Sequence, residues 1–120
     1  MATPSAVYCQ PEIATVGLSE EAAKSIDPDA CAVQASTISN GKSLLERSER
    51  GFIKLIYSQS SRRFLGASLY CMRASDLISE LALALSRKLS IDELKANIRP
   101  HPSYSELISE ALHQVPWPEA

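Results

Sequence analysis

Glycine is scarce in this chain, with four residues in 120, at positions 17, 41, 51 and 66. A dinucleotide-binding G-x-G-x-x-G needs three within one turn, so that fingerprint is absent. Cysteine is sparse too. Cys9, Cys31 and Cys71 are odd in number and far apart. That excludes a C-x-x-C pair, a C-x-x-x-x-C redox pair and a zinc set, and no metal is expected. Three buried or half-buried thiols in a reducing cytosol are the expectation. Cys71 acting with a histidine as a nucleophile is the sharper alternative, but nothing close in sequence activates that thiol. No apolar run is long enough to span a membrane, and no signal peptide is recognisable. A cytoplasmic location with no membrane partner is therefore expected. The formal net charge of -2 leaves no electrostatic footprint for nucleic acid.

What is present suits a folded domain. Hydrophobic residues make up 45% and charged residues 22%, enough for one core and ordinary for a globular chain. One domain is expected over residues 1–120, with residues 117–120 as a tail. Residues 6–8 and 13–17 are short β-prone runs. Ser19 followed by Glu20 and Glu21 reads as a capped helix start. Residues 30–38 alternate, with Cys31, Val33, Ala35 and Thr37 on one face, and Asn40-Gly41 reads as a turn. Residues 51–57 and 63–71 form the clearest hairpin. Gly66 inside its second strand predicts a bulge or a close backbone approach. The longest helix spans residues 75–89, with Leu77, Ile78, Leu81, Ala82, Leu85 and Leu89 as its stripe. Leu83 lies off the stripe, either as a second contact with the sheet or as a patch for another subunit. Ser90 and Glu93 have capping-box spacing. Strands and short helices first, then a helix-rich half, read as α+β: an antiparallel sheet covered by helices on one face.

One stretch organises the rest: Arg99-Pro100-His101-Pro102-Ser103-Tyr104-Ser105-Glu106. It contains one of two histidines, between two prolines. Ser103 and Glu106 again have capping-box spacing, which predicts Ser103 as the cap. Leu107, Ile108, Ala111, Leu112 and Val115 recur at helical spacing until Pro116 ends the run. Two readings stand side by side. In one, His101 is a proton carrier and Glu106 orients its ring. In the other, His101 is only a turn residue and Glu106 only a cap. Trp117, between two prolines, is a tether or a disordered end.

The His101-Pro102-Ser103-Tyr104-Ser105-Glu106 stretch resembles the H-P-T-x-S-E signature near the C-terminus of the pyridine nucleotide-disulfide oxidoreductases. Pro11-Glu12-Ile13-Ala14-Thr15-Val16-Gly17-Leu18-Ser19-Glu20 is similar to the family's P-E-x-A-x-V-G-x-(S/T)-E. Gly51-Phe52-Ile53-Lys54 and Leu65-Gly66 match its G-x-x-K and L-G strands. The match runs in order from about Pro4 to Pro116, and within the family the lipoamide-type enzymes fit best. Ser103, Ser68 and Cys9 stand where the family usually has threonine, histidine and threonine.

The resemblance implies the family's C-terminal dimerisation domain and the same α+β fold. It implies a full-length enzyme that binds FAD and NAD and oxidises dihydrolipoamide on a lipoyl-bearing protein of a 2-oxo acid dehydrogenase complex. It implies a homodimer in which His101 and Glu106 form the acid/base dyad, reaching the partner subunit's disulfide. The His101-Pro102 turn, with a cis bond, would lie near the partner subunit's flavin. The fragment alone, without G-x-G-x-x-G or a disulfide, is expected to bind neither cofactor and to be inactive. Glutathione-type and mercuric-type reductases, and a stand-alone interaction module, are the alternatives.

Overall fold

The computed structural model describes residues 2–47 and 50–118. Five strands form one antiparallel sheet: β1 (Ser5–Val7), β2 (Glu12–Gly17), β3 (Ala30–Ser36), β4 (Phe52–Ser58) and β5 (Phe64–Cys71), in the order β1-β2-β5-β4-β3. The helices are α1 (Glu20–Ile26), α2 (Gly41–Leu45), α3 (Ala74–Ser86), α4 (Ile91–Ala96) and α5 (Glu106–Leu112). The α+β expectation holds.

Alternation decides which sheet face is covered. Val33, Ala35, Ile53, Leu55, Ala67 and Leu69 point to one side and are buried there. α3 lies over β2 and β5, and α5 over β3 and β4, so two helices share that face. Leu81, Leu107, Ile108, Ala111 and Leu112 are fully buried between helix and sheet. Each large apolar side chain so placed contributes about 1.5–3 kcal/mol. Ala23, Ala30 and Ile56 form a small second cluster on the opposite face, where α1 packs on β3.

The β4–β5 hairpin explains how Leu65 reaches that second cluster. Ile56 pairs with Gly66, but Tyr57 pairs with Phe64, so Leu65 is an extra residue. Phe64 and Ala67 face the main core while Leu65 faces the other cluster. The predicted bulge and close approach at Gly66 are thus both present. The Leu18 backbone crosses there, and its N–H donates to the Leu65 carbonyl at 3.0 Å.

Helix starts follow local chemistry. Ser19 accepts from the Ala22 N–H, and Ser90 with Glu93 completes a capping box. α3 has no cap of its own. Instead Glu12, on β2, accepts from both the Ser75 N–H at 3.0 Å and its hydroxyl at 2.8 Å.

Three sequence expectations shift. The third strand stops at Ser36, because the Ser36 hydroxyl accepts from the Ile38 N–H and starts a 3-10 turn over Thr37–Ser39. Asn40-Gly41 is a helix entry rather than a plain turn. The long helix ends at Ser86, three residues short of Leu89, whose N–H bonds back to the Ala84 carbonyl. Leu83 is 63% exposed rather than buried against the sheet. Trp117 is placed beside Lys95, whose ammonium lies 4.1 Å from the ring centroid. Residues 119 and 120 of the expected tail lie outside the described residues.

Cys71 is fully buried at the end of β5, and that burial, with the Glu12 carboxylate nearby, pushes its thiol up to about 12. A thiol held protonated at neutral pH is no nucleophile, which removes the Cys71–histidine alternative.

Two expectations follow from this packing. An ideal Cβ on Gly66 would sit 2.1 Å from the Leu18 carbonyl oxygen and 2.7 Å from its amide nitrogen. Both obstacles are backbone, so Gly66→Ala should cost at least the upper part of the ~1–3 kcal/mol typical of overpacking. An unchanged urea midpoint would show that the Leu18 crossing yields freely. Alkylation at pH 8, well below the raised Cys71 value, should modify exposed Cys9 and spare Cys71 until the chain unfolds. Mass spectrometry of labelled peptides reads this directly, and native labelling of Cys71 at the rate of Cys9 would contradict its burial.

Candidate functional site

The segment between α4 and α5 has no regular structure, so its shape depends on side-chain anchors. Arg99 is the upstream anchor and is itself buried, at 8% exposure. Its guanidinium pairs with both carboxylate oxygens of Glu80 on α3, through Nη2 and through Nε at 3.3 Å. Its Nη1 donates to the Ser109 hydroxyl on α5 at 2.9 Å and to the Asn97 carbonyl at 3.2 Å. Such a fork spends most of its donors on fixed acceptors, which is what burial of a guanidinium requires. One residue thus ties the segment to two helices just before Pro100.

The chain then turns through a cis His101-Pro102 bond. The His101 side chain is 76% exposed, while Glu106 at the start of α5 is largely covered. His101 Nδ1 lies 2.8 Å from Glu106 Oε1 and 3.1 Å from Oε2. A carboxylate facing Nδ1 fixes the proton there in the neutral ring and leaves Nε2 as the basic nitrogen. Nε2 has no hydrogen-bond partner among the described residues. The same Oε1 accepts the Ser103 N–H at 3.1 Å. Glu106 therefore holds the ring and its own turn together.

Ser103 itself does not cap the helix, which corrects the sequence expectation. Its hydroxyl donates to the Pro100 carbonyl at 2.6 Å and lies 2.8 Å from the Ser105 hydroxyl. The Ser103 hydroxyl is spent within the turn, and no helix N–H among the described residues bonds to it. The helix begins only at Glu106, after Ser105. Half of the expected capping box survives, the half in which Glu106 reaches back to Ser103.

A second wall comes from α2. Asn40 is fully buried, and its amide donates to the Ser103 carbonyl at 3.0 Å. An ideal Cβ on Gly41 would meet His101 Cε1 at 3.7 Å, so the start of α2 stands against the ring. Just past the end of α2, Glu46 pairs with Lys42 at 2.7 Å and accepts from the Tyr104 hydroxyl at 2.9 Å. The Lys42 ammonium, then the Tyr104 hydroxyl, hold the Glu46 carboxyl below its ordinary range.

The two sequence candidates, His101 and Glu106, are therefore in contact. Asn40 and Arg99 were missed as site residues. Asn40 carried a usable signal, since asparagine is among the favoured N-cap residues. Arg99 carried none, because its partner Glu80 is 19 residues away. No cluster of three or more metal-ligating side chains exists among the described residues. None of the described helices is long and apolar enough to cross a membrane.

What this arrangement can do is move a proton at an exposed nitrogen. Comparison with known proteins locates it in a family. The profile described as "Pyridine nucleotide-disulphide oxidoreductase, dimerisation domain" matches residues 3–112. A dihydrolipoyl dehydrogenase of Synechocystis sp. is 36% identical over 118 residues, covering 95% of this chain and 25% of that protein. One of Rhizobium etli is 32% identical over 109 residues, covering 91% of this chain and 23% of the relative. Among solved structures, the HOCl-induced flavoprotein disulfide reductase RclA from Escherichia coli superposes with a TM-score of 0.89 at 27% identity, over 95% of this chain and 26% of that one. This chain spans about a quarter of the length of these relatives. Its sheet, its helix order and its matched span agree: the chain belongs to the dimerisation-domain family of the pyridine nucleotide-disulphide oxidoreductases.

Proposed function

We propose that this chain serves as the interface domain of a flavin disulfide oxidoreductase that oxidises dihydrolipoyl groups, and that it supplies His101 and Glu106 as the acid/base pair. The observation that carries this reading is the 2.8 Å contact between His101 Nδ1 and Glu106 on an exposed turn. A histidine kept only for the turn has no need of a covered carboxylate behind it. The relatives named dihydrolipoyl dehydrogenase support the substrate class.

The chemistry is thiol–disulfide exchange. His101 Nε2 takes the proton of a substrate thiol, and the thiolate attacks a disulfide sulfur. The S–S bond breaks, a mixed disulfide forms, and the imidazolium returns the proton to the leaving sulfur. Glu106 keeps the proton on Nδ1 and steadies the cation that forms midway. The disulfide is not on this chain, whose three cysteines are free thiols. In this reading it belongs to the other subunit of a homodimer, and the thiol arrives on a lipoyl-bearing protein.

FAD and NAD, which would carry the electrons onward, do not fit this chain alone. It has no G-x-G-x-x-G, and at the starts of α1 and α3 one N–H is already taken, by Ser19 at Ala22 and by Glu12 at Ser75. Both cofactors belong to other parts of a longer protein in this reading, and the chain by itself is inactive.

The test is made in the full-length enzyme. His101→Gln should lower dihydrolipoamide turnover by about 10²–10⁴, the usual worth of a general acid–base group. NADH-driven reduction of an artificial dye, which needs no substrate thiol, should change little. Glu106→Gln should cause a smaller loss of the same kind. Near-normal thiol turnover in His101→Gln would leave a module that mediates assembly without chemistry, and preference for glutathione or mercuric ion would move the assignment to another branch.

Assembly is a separate expectation. The Leu83 surface of α3 and the outer side of α5 should be buried between two copies of the full-length enzyme. Sedimentation at micromolar concentration should give a dimer, and a monomer would contradict this reading.

A further inference from the structure

We propose that Asn40 is a positioning residue for His101, acting through the Ser103 carbonyl that its buried side-chain amide clamps. This rests on the acid–base role of His101 given above. Asn40 also caps α2, and its two jobs use different atoms. Oδ1 accepts from the Ser43 N–H at 2.9 Å and the Ser43 hydroxyl at 2.8 Å. Nδ2 donates to the Ser103 carbonyl, 63 residues further along the chain. The amide orientation is forced, because a flipped group would set its NH2 against the Ser43 N–H.

Capping alone does not call for this residue. Serine or aspartate would accept from Ser43 equally well. What asparagine adds is a donor, and it is spent on the turn that carries the imidazole. From Ser103 the path to the ring is short. The Ser103 N–H donates to Glu106 Oε1, and the same oxygen faces His101 Nδ1. If Ser103 drifts, Glu106 loses one of its two donors and the ring loses its fixed carboxylate. Gly41, next in sequence to Asn40, meanwhile fronts His101 Cε1. Asn40 thus links the wall beside the ring to the turn behind it. Arg99 holds the same turn from the other side, through Glu80 and Ser109.

The test compares Asn40→Ser and Asn40→Asp with wild type in the full-length enzyme. Both variants keep a capping oxygen and lose the amide donor, and the aspartate sets an acceptor against the Ser103 carbonyl. Both should fold, with kcat for dihydrolipoamide down about 10–100-fold, in line with the cost of a small misplacement of a reacting group. KM and NADH-to-dye turnover should stay near wild type. A second measurement needs no turnover. In the 120-residue chain, with His113→Gln leaving His101 as the only imidazole, 15N shifts of the neutral ring report its tautomer. Wild-type Asn40 should give mostly Nδ1–H, and Asn40→Ser a mixture with Nε2–H.

Wild-type kcat, or a kcat loss without a tautomer change, would overturn the proposal and leave Asn40 as a cap. So would failure of both variants to fold, since the residue would then act on the fold as a whole. The parent reading fails separately. If His101→Gln retains thiol turnover while Asn40→Ser still scrambles the tautomer, the positioning contact stands and the acid–base chemistry does not.

Discussion

An exposed imidazole is useful only if something buried keeps it still, and here that support is the seating of α5 on the sheet. Leu107 and Ile108 directly follow Glu106 and are fully buried over β3 and β4. Their burial is worth several kcal/mol at about 1.5–3 kcal/mol for each such side chain. It fixes the backbone from which the Glu106 carboxylate projects. Everything at the His101 end is built outward from that seat. Glu106 collects the ring and the Ser103 N–H, Arg99 joins α3 to α5, and Asn40 brings in α2.

The magnitudes separate what stabilises from what orients. A pair with one partner as open to solvent as His101 contributes little to folding, because water screens it and competes for the same atoms. Its value is geometric. One carboxylate oxygen shared by two donors has few ways to rotate, and a ring opposite a fixed oxygen keeps its proton on one nitrogen. The energy that maintains this order is spent a few residues away, in the core and in the pairing of the buried Arg99 guanidinium with Glu80. Removing Glu80 would be costly, since the Arg99 charge would then be left in a poor solvent.

Much of the fold was legible because its signals are local. The hairpin strands, the capping box at Ser90 and the apolar stripe of α5 repeat at intervals that only one element satisfies. Gly66 was legible as a place without room for a side chain, although not what fills the space, since Leu18 lies far off in sequence. The contact of His101 with Glu106 was one of two readings that spacing left open, and the family resemblance favoured it. The Ser103 cap was misread because spacing alone does not show that the hydroxyl bonds back to the Pro100 carbonyl. Asn40 and Arg99 find their partners across 63 and 19 residues, and no periodicity reports such a distance.

The distribution of sulfur sets the limit on what this chain can do. Cys71 is buried and held protonated by its surroundings, and Cys9 donates its thiol hydrogen to the Pro11 carbonyl at 3.1 Å. Neither carries a partner sulfur, while the one group suited to moving a thiol proton faces outward with Nε2 open among the described residues. In the proposed function a proton carrier without a sulfur of its own is half of a site, and the other half approaches from outside the turn. Ile98 on the same segment and Leu44 and Leu45 on α2 are exposed apolar side chains. Side chains of this kind favour contact with a surface that buries them, and in the proposed function a surface docked over His101 would exclude water and strengthen the charge contacts of the imidazole. The interface role of the family and the proton chemistry proposed for His101 are in that sense one requirement, because only a docked surface would complete the environment in which the base works.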